Sequence, residues 1–216
     1  GNVGSTLAFT LATKNICSEI VLKDIRENIV SAMTLDVSQA ANAAKSKTKV
    51  TGTLEASEFS DCDVVVITAG VPRKPGMSRD DLLLINAKIM TSVVSETVQY
   101  NPNAIIIIVS NPLDAMVYAA LKTTNYPRTK IVGMAGILDS SRFKYFLSQE
   151  LKVPVKSINS LVLGGHGDTM VPMPNHTTVD GKPLSQLINK EKLDFIINRT
   201  RKGGAEIIKF LEKGSA

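Results

Sequence analysis

The sequence has few cysteines, few aromatic residues and no long apolar run. Its two cysteines, Cys17 and Cys62, lie far apart and belong to no CxxC or Cys/His cluster, which argues against a disulfide framework and against a zinc site. They favour a reducing, cytoplasmic setting. The longest uncharged apolar run, Ala104 to Val109, is far shorter than the roughly 18 residues that a membrane-spanning helix needs. We therefore expect no membrane-spanning segment.

The composition is that of an ordinary globular chain. Lys and Arg total 25 of the 216 residues, Asp and Glu total 20, and 44% of positions are apolar, which argues against disorder. The densest basic run, Lys45 to Lys49, contains no aromatic residue that would stack on a base, so we interpret it as a solvated loop. Nucleic acid is not an expected partner.

Both ends of the sequence resemble internal segments of a longer protein. It opens on Gly1 without an initiator Met, and a helical apolar face at residues 207–211 is followed by only five more residues. We expect a chain truncated at both ends, whose sheet lacks its first strand. Such a chain would be poorly stable and weakly active or inactive, so the functional predictions concern the intact protein.

Short β-branched runs alternate with helical patterns through the first 135 residues. The runs are apolar without period-two alternation, which is typical of strands that are buried on both faces of a parallel sheet. We predict an α/β fold, a doubly wound Rossmann sheet without its first strand, over residues 1–135. The predicted strands are Ile20–Leu22, Val64–Thr68, Ile105–Val109 and Ile131–Met134, with a weaker one at Lys49–Thr53.

Residues 136–216 lack this alternation and are predicted to form a truncated α+β catalytic domain. A helix at Ile137–Gln149 precedes an apolar run at Ser160–Leu163. The pair Asp180-Gly181 indicates a hairpin turn, and an amphipathic helix is predicted from about Lys192 to Leu211.

The first glycines indicate a dinucleotide site. Gly1-x-x-Gly4 directly before a helix matches the last two glycines of G-x-G-x-x-G, where helix N–H groups face a pyrophosphate. Asp24 lies about 20 residues later at a strand end, where an acid binds ribose hydroxyls and repels a 2′-phosphate, which favours NAD over NADP. The alternative is a glycine turn beside an ordinary surface acid. Thr68-Ala69-Gly70 follows another strand, at the sheet edge where ligands bind.

The segment from Val71 to Asp81 is predicted to be a loop because it contains Pro72, Pro75 and Gly76. Its two arginines, Arg73 and Arg79, indicate a mobile lid that carries positive charge to an anionic ligand. The alternative is a solvated loop whose final acids, Asp80 and Asp81, stabilise the N-terminus of the next helix.

Four further polar residues are candidates for chemistry. Asn111 follows a strand, although it also suits a simple turn. Asp139 and Arg142 are three apart on a helix and share one face, as an ordinary surface ion pair would. His166 lies in Gly164-Gly165-His166-Gly167-Asp168. It is a better acid/base candidate than His176, the only other histidine, which has no such glycine-built surroundings.

Together these motifs resemble the NAD-dependent malate dehydrogenases of the lactate-dehydrogenase-like type, found mainly in bacteria. The resemblance covers essentially the whole chain, and the order and spacing of its motifs are highly specific. The matching stretches are 1–4, 24–25, 68–82, 110–114, 138–143 and 164–172.

The resemblance implies a role for each polar candidate. His166 would take the proton of the substrate hydroxyl as hydride leaves C2, Asp139 would hold its imidazole, and Arg79 would polarise the reacting carbonyl. Arg142 would bind the C1 carboxylate, Asn111 would orient the substrate, and Arg73 would pair with the second carboxylate. Burying Arg73 opposite a methyl group would be costly, so malate is favoured over lactate.

The resemblance also implies NAD as cofactor, a malate or oxaloacetate substrate, and a homodimer or homotetramer. A metal is not expected, because no set of His, Cys and carboxylate residues has ligand spacing. Two alternatives stay open: a lactate or other 2-hydroxyacid dehydrogenase, and a nucleotide-binding module without activity. The latter is disfavoured because His166, Asp139, Arg142 and Arg79 are all present. The residues implied for cofactor binding are Gly1, Asn2, Val3, Gly4, Asp24, Thr68, Ala69, Gly70, Asn86, Val109 and Asn111.

Overall fold

A computed structural model describes residues 1–72 and 77–211. Arg73 and the last residues of the chain lie outside this part. The chain divides into two compact units. Among the described residues, the first comprises Gly1–Asn111 with Ala115–Val132, and the second comprises Pro112–Asp114 with residues 133–211.

From Asn2 to Gly133, strands alternate with α-helices, except that only a short 3-10 helix, Ala56–Phe59, lies between the second and third strands. The strands match the predicted β-branched runs to within a residue or two, and the first helix begins at Asn2, inside the Gly1-x-x-Gly4 motif that was expected to precede it. The elements are α1 (Asn2–Thr13), β1 (Glu19–Lys23), α2 (Glu27–Ala43), β2 (Lys49–Thr53), β3 (Val64–Ile67), α3 (Arg79–Tyr100), β4 (Ile105–Ile108), α4 (Leu113–Thr124) and β5 (Ile131–Gly133).

Within the described residues the strands form two separate sheets. One contains β1 and β2, which pair in parallel. In the other, β3 pairs in parallel with β4, and β5 follows on the other side of β4. These two orders correspond to strands 3-2 and 4-5-6 of the doubly wound order 3-2-1-4-5-6. The predicted fold class is thus confirmed, with the sheet interrupted at the position of strand 1.

Small residues bring α1 and α2 close to β1 and β2. Ala8, Ala12 and Ala41 are nearly or fully buried together with Val37, and Ile20, Leu22 and Val50 pack against them. Gly52 on β2 leaves no room for a larger residue, since a Cβ there would lie 2.2 Å from Thr34 Oγ1 on α2. The helices therefore cover the sheet at short range.

The predicted loop over residues 71–81 ends earlier than expected. Arg79 is the first residue of α3, so the segment 79–81 is helical. A capping box explains this start: Ser78 Oγ accepts from the Asp81 backbone N–H at 3.0 Å, and Asp81 accepts from the Ser78 backbone N–H at 3.1 Å. The hydrogen bonds from Ser78 lower the pKa of the Asp81 carboxyl. Asp81 thus has the predicted helix-stabilising position.

The second unit combines two long helices with short antiparallel strands. It contains α5 (Gly136–Leu151), β6 (Ile158–Asn159), β7 (Val162–Gly164), β8 (Met170–Pro172), β9 (Thr178–Val179), β10 (Lys182–Pro183) and α6 (Lys190–Leu211). Asp180 and Gly181 both have positive φ and turn the chain between β9 and β10, as predicted. Of the apolar run Ser160–Leu163, Val162 and Leu163 belong to strand β7. Ser160 precedes that strand, and its buried hydroxyl bonds Thr177 Oγ1 at 2.8 Å.

The core of the second unit lies between α5, α6 and the short strands. Phe143 and Leu147 on α5 are fully buried with Leu184, and Ile196 on α6 packs into the same cluster. Among the described residues, no helix is both long and apolar enough to cross a membrane.

Candidate active site

In the first unit, the N-terminus of α1 lies beside the ends of two strands. Gly4 approaches the residue after β3 so closely that a Cβ on it would lie 3.0 Å from Thr68 Oγ1. The Gly1 nitrogen lies 3.6 Å from Asp24 Oδ2, just beyond β1. Asn2 and Val3 form the first helical turn, which is exposed. The structure thus brings together Gly1, Gly4, Asp24 and Thr68, which the sequence separates by up to 67 positions.

Asp24 is held at its strand end by Arg26. Its Oδ1 accepts from Arg26 Nε at 3.1 Å and from the Arg26 backbone N–H at 3.2 Å. Partial burial acts to raise the pKa of the Asp24 carboxyl, but the hydrogen bonds and charge of Arg26 outweigh it and lower the pKa. Asp24 is therefore a fixed carboxylate at neutral pH.

The segment after β3 is fixed by the ends of neighbouring elements. Ser110 Oγ donates to the Ala69 carbonyl at 2.5 Å, and the Val109 backbone N–H donates to Ile67 at 2.9 Å. Gly70 packs against Asn86, since a Cβ there would lie 3.2 Å from Asn86 Oδ1. The candidates Thr68, Ala69, Gly70 and Val109 therefore share one edge of the sheet.

Asn86 links two of these segments from within α3. Its Nδ2 donates to the carbonyls of Val71 at 3.1 Å and Asn111 at 2.7 Å, while its Oδ1 accepts from the Val71 N–H at 2.8 Å. It is only 3% exposed. Both amide hydrogens are committed to protein carbonyls, so the contacts of Asn86 serve to position Val71 and the exposed Asn111.

In the second unit, one carboxylate bridges a histidine and an arginine. Asp139 Oδ2 lies 2.9 Å from His166 Nδ1, and Asp139 Oδ1 lies 3.1 Å from Arg142 Nη1. Asp139 is 2% exposed. The side chains of His166 and Arg142 remain 19% and 17% exposed. The three residues share a partly open site, although His166 is 24 positions from Arg142 in sequence.

The N-terminal part of α5 and a glycine turn position this trio. Asp139 lies in the first turn of α5, where the helix dipole favours a negative charge. Ser140 Oγ accepts from the Val162 backbone N–H at 2.9 Å and so joins α5 to β7, which leads into the His166 segment. Gly164 turns there with φ +80°, and a Cβ on it would lie 2.7 Å from the Thr169 carbonyl. Only glycine permits this close return of the backbone.

Two glycines of α6 lie against the Arg142 side chain. A Cβ on Gly203 would lie 3.2 Å from Arg142 Cδ and 3.4 Å from its Nε, whereas a Cβ on Gly204 would lie 3.5 Å from Nη2. Adjacent glycines inside a helix reduce its stability. Here the two glycines leave space for the Arg142 side chain, whose guanidinium also contacts Asp139.

This geometry leaves defined groups available for chemistry. A carboxylate can only accept, so His166 donates Nδ1–H to Asp139 and keeps Nε2 available to take or give a proton. One guanidinium nitrogen of Arg142 contacts Asp139, so its remaining N–H groups can bind a planar anion. Proton transfer beside an anion-binding arginine is the chemistry that this arrangement supports.

Several supporting residues were not predicted from the sequence. Ser110 and Ser140 lie in the matching stretches 110–114 and 138–143 but received no role there, and Gly203 lies in none of these stretches. Only tertiary contacts indicate what these three residues do. Within residues 1–72 and 77–211, no three His, Cys, Asp or Glu side chains are placed to hold a metal ion.

Family comparisons cover both units. The lactate/malate dehydrogenase NAD binding domain matches residues 1–133, and the lactate/malate dehydrogenase alpha/beta C-terminal domain matches residues 137–216. The malate dehydrogenase of Aliarcobacter butzleri is 58% identical over 216 residues, which are all of this chain and 69% of that protein.

Solved structures of related enzymes superpose on the whole chain. The malate dehydrogenase of Cryptosporidium parvum has a TM-score of 0.95 and 40% identity, and the match covers 70% of that structure. The lactate dehydrogenase of the same organism, solved with lactic acid and NAD, has a TM-score of 0.94, 39% identity and 69% coverage. The similarity therefore includes enzymes of both substrate types.

Proposed function

Because this chain belongs to the lactate/malate dehydrogenase family, we propose that it acts as an NAD-dependent malate dehydrogenase with His166, Asp139 and Arg142 at its reacting centre. The reaction is the reversible oxidation of (S)-malate to oxaloacetate. The observation that carries the proposal is the bridge from Asp139 to both His166 and Arg142. We assign residues 1–135 to cofactor binding and residues 136–216 to the substrate and catalysis.

The first unit has the features that NAD binding requires. The start of α1 presents backbone N–H groups for a pyrophosphate, and the close contact at Gly4 lets that helix end reach the edge of the sheet. Asp24 can accept hydrogen bonds from ribose hydroxyls and would repel a 2′-phosphate. The same edge contains Thr68, Ala69, Gly70 and Val109. Asn86 packs against Gly70 and hydrogen-bonds the backbone of Val71. NAD, when bound, supplies the acceptor for the hydride that leaves C2 of malate.

His166 handles the proton in both directions. In malate oxidation, Nε2 accepts the proton of the C2 hydroxyl, and in oxaloacetate reduction it returns that proton to the carbonyl oxygen. Asp139 keeps Nδ1 protonated, fixes the ring orientation and stabilises the imidazolium that forms. Because Asp139 is almost fully buried, its charge acts on His166 with little screening by solvent.

Arginines and an amide hold the substrate. Arg142 binds the C1 carboxylate with its planar fork. Arg79, at the start of α3, polarises the reacting carbonyl, and Asn111 orients the substrate. Arg73, which lies outside the described residues, pairs with the second carboxylate. These roles rest on the resemblance and on the chemistry of each side chain.

Substrate choice provides the direct test of this function. With NADH, the intact protein should reduce oxaloacetate with a kcat/KM at least about 100-fold above that for pyruvate, because a methyl group would leave Arg73 unpaired in a closed site. Arg73→Gln should lower kcat/KM for oxaloacetate, so that the ratio of the oxaloacetate value to the pyruvate value falls by about 10-fold or more. The measurement is steady-state NADH oxidation with each keto acid.

Lys74→Gln is the matched control, since it removes a positive charge from the adjacent position. It should leave the substrate ratio unchanged. A preference for pyruvate in the unmodified protein would establish the lactate dehydrogenase alternative. NADH binding without turnover of either keto acid would instead indicate the inactive binding module.

The two glycines of α6 give a second prediction. Gly203→Ala should raise KM for oxaloacetate roughly 3- to 10-fold, because the new Cβ forces Arg142 to shift by a few tenths of an ångström. Alanine is also a better helix former than glycine by about 1 kcal/mol, so the thermal midpoint should not fall. Steady-state kinetics and thermal unfolding test both expectations.

Gly204→Ala is the control for this substitution, because its Cβ would meet Arg142 only at an ordinary contact distance. Gly204→Ala should stabilise the helix by the same amount as Gly203→Ala and leave KM for oxaloacetate unchanged. Equal KM values for both variants would refute the positioning of Arg142 by Gly203.

Three broader assignments accompany this function. We place the enzyme in the cytoplasm, which agrees with the isolated cysteines, and in the tricarboxylic acid cycle, which follows from its substrate pair. We also expect a homodimer or homotetramer, by analogy with the family that the sequence resembles.

A further inference from the structure

We propose that Asp114 is a positioning residue that holds the backbone of His166 in the orientation needed for proton transfer. This inference rests on the proposed role of His166. Asp114 Oδ2 accepts from the His166 backbone N–H at 2.9 Å, although the two residues are 52 positions apart. Asp114 belongs to the short segment Pro112–Asp114, which clusters with the second unit and not with the rest of its helix α4.

The packing of the neighbouring glycine supports this role. A Cβ on Gly165 would lie 3.0 Å from Asp114 Oδ2 and 2.5 Å from Thr169 Oγ1. Gly165 thus lets the backbone pass directly against the carboxylate. Asp114 Oδ2 therefore contacts two successive residues of this segment. It packs closely against Gly165 and accepts a hydrogen bond from the backbone N–H of His166.

Asp114 complements the contact that holds the His166 ring. Asp139 fixes the imidazole at Nδ1, but a ring contact alone leaves the Cα of His166 able to move because glycines flank it at 165 and 167. The Asp114 bond restrains the backbone of the same residue. Two carboxylates from separate helices thus act on His166, one through its side chain and one through its main chain.

Asp114→Ala should therefore disturb proton transfer more than folding. We expect kcat for oxaloacetate reduction to fall about 10-fold in the intact enzyme, because a small misplacement of an acid/base group slows the chemical step. The dissociation constant for NADH should stay unchanged. The primary deuterium isotope effect on kcat, measured with deuterated NADH, should rise, because the chemical step then limits turnover in place of product release.

Asp114→Asn is the conservative variant, since its amide oxygen can accept the same hydrogen bond. Its kcat should lie within about 3-fold of the unmodified enzyme. Asp194→Ala, which removes an exposed carboxylate paired with Lys190 on α6, should change neither kcat nor the isotope effect.

Hydrogen–deuterium exchange tests the contact without relying on turnover. The amide of His166 should exchange faster in Asp114→Ala than in the unmodified protein and in Asp114→Asn. If oxaloacetate is not turned over at all, the proposed function fails while this exchange result still decides the contact. The positioning role is overturned if Asp114→Ala leaves the exchange rate of the His166 amide or the value of kcat unchanged. It is also overturned if Asp114→Asn is as slow as Asp114→Ala, or if kcat falls in Asp114→Ala while the isotope effect stays the same.

Discussion

Replacing His166 by asparagine is expected to lower kcat for oxaloacetate reduction by roughly 10²- to 10⁴-fold, the usual contribution of a general acid. Asparagine can donate to Asp139 as His166 Nδ1 does, so the buried carboxylate keeps a partner and the second unit should remain folded. It has no group that gives up a proton near neutral pH. The loss should therefore appear in kcat, with little change in NADH affinity.

The chain supplies its own control for this substitution. His176 is the only other histidine, and it lies exposed in a short turn of the second unit. His176→Asn makes the same chemical change away from Asp139 and should leave kcat within about 2-fold of the unmodified enzyme. Steady-state kinetics and NADH fluorescence titration test both variants. Comparable activity in His166→Asn and His176→Asn would rule out His166 as the proton donor.

Replacing Arg142 by lysine is expected to lower kcat/KM for oxaloacetate by about 10- to 100-fold, mainly through a higher KM. Lysine keeps the positive charge beside Asp139 but lacks the planar fork that binds a carboxylate through two parallel hydrogen bonds. Losing one charge-assisted hydrogen bond of about 1.5–3 kcal/mol accounts for this range. Because the charge is retained, Asp139 is not left without a cation.

Arg199→Lys is the corresponding control in the same unit. The Arg199 guanidinium lies 4.4 Å from the centre of the Phe146 ring and pairs with Glu206, and its side chain is 42% exposed. Its replacement should leave KM for oxaloacetate unchanged. The assignment of Arg142 to the C1 carboxylate would be wrong if Arg142→Lys retained the KM of the unmodified enzyme.

The sequence by itself determined the order of the helices and strands. Strands such as Ile105–Ile108 consist of β-branched apolar residues, and Asp180-Gly181 specifies its hairpin turn through local backbone preferences. These signals act between neighbours along the chain, so they are visible without the fold. The motifs around Asp24, Asp139 and His166 were visible for the same reason, as was their resemblance to a dehydrogenase family.

Element boundaries depended on side-chain contacts that the pattern of apolar residues does not contain. The helix α3 begins at Arg79 because Ser78 and Asp81 bond each other's backbone N–H groups. The apolar run Ser160–Leu163 enters strand β7 only at Val162, and Ser160 before it bonds Thr177, 17 positions away. Proline and glycine content predicted a loop over 71–81 but could not predict the residue at which the following helix begins.

Only the tertiary structure decided which distant residues meet. The i,i+3 spacing of Asp139 and Arg142 is equally compatible with a surface ion pair and with a pair in a functional site. The burial of Asp139 beside His166 distinguishes these two possibilities. The same holds for Asp114 against the His166 backbone and Gly203 against Arg142. Sequence spacing constrains contacts within one helix or turn, whereas contacts between elements depend on how their faces pack. The residues that position the reacting groups become evident only from that packing.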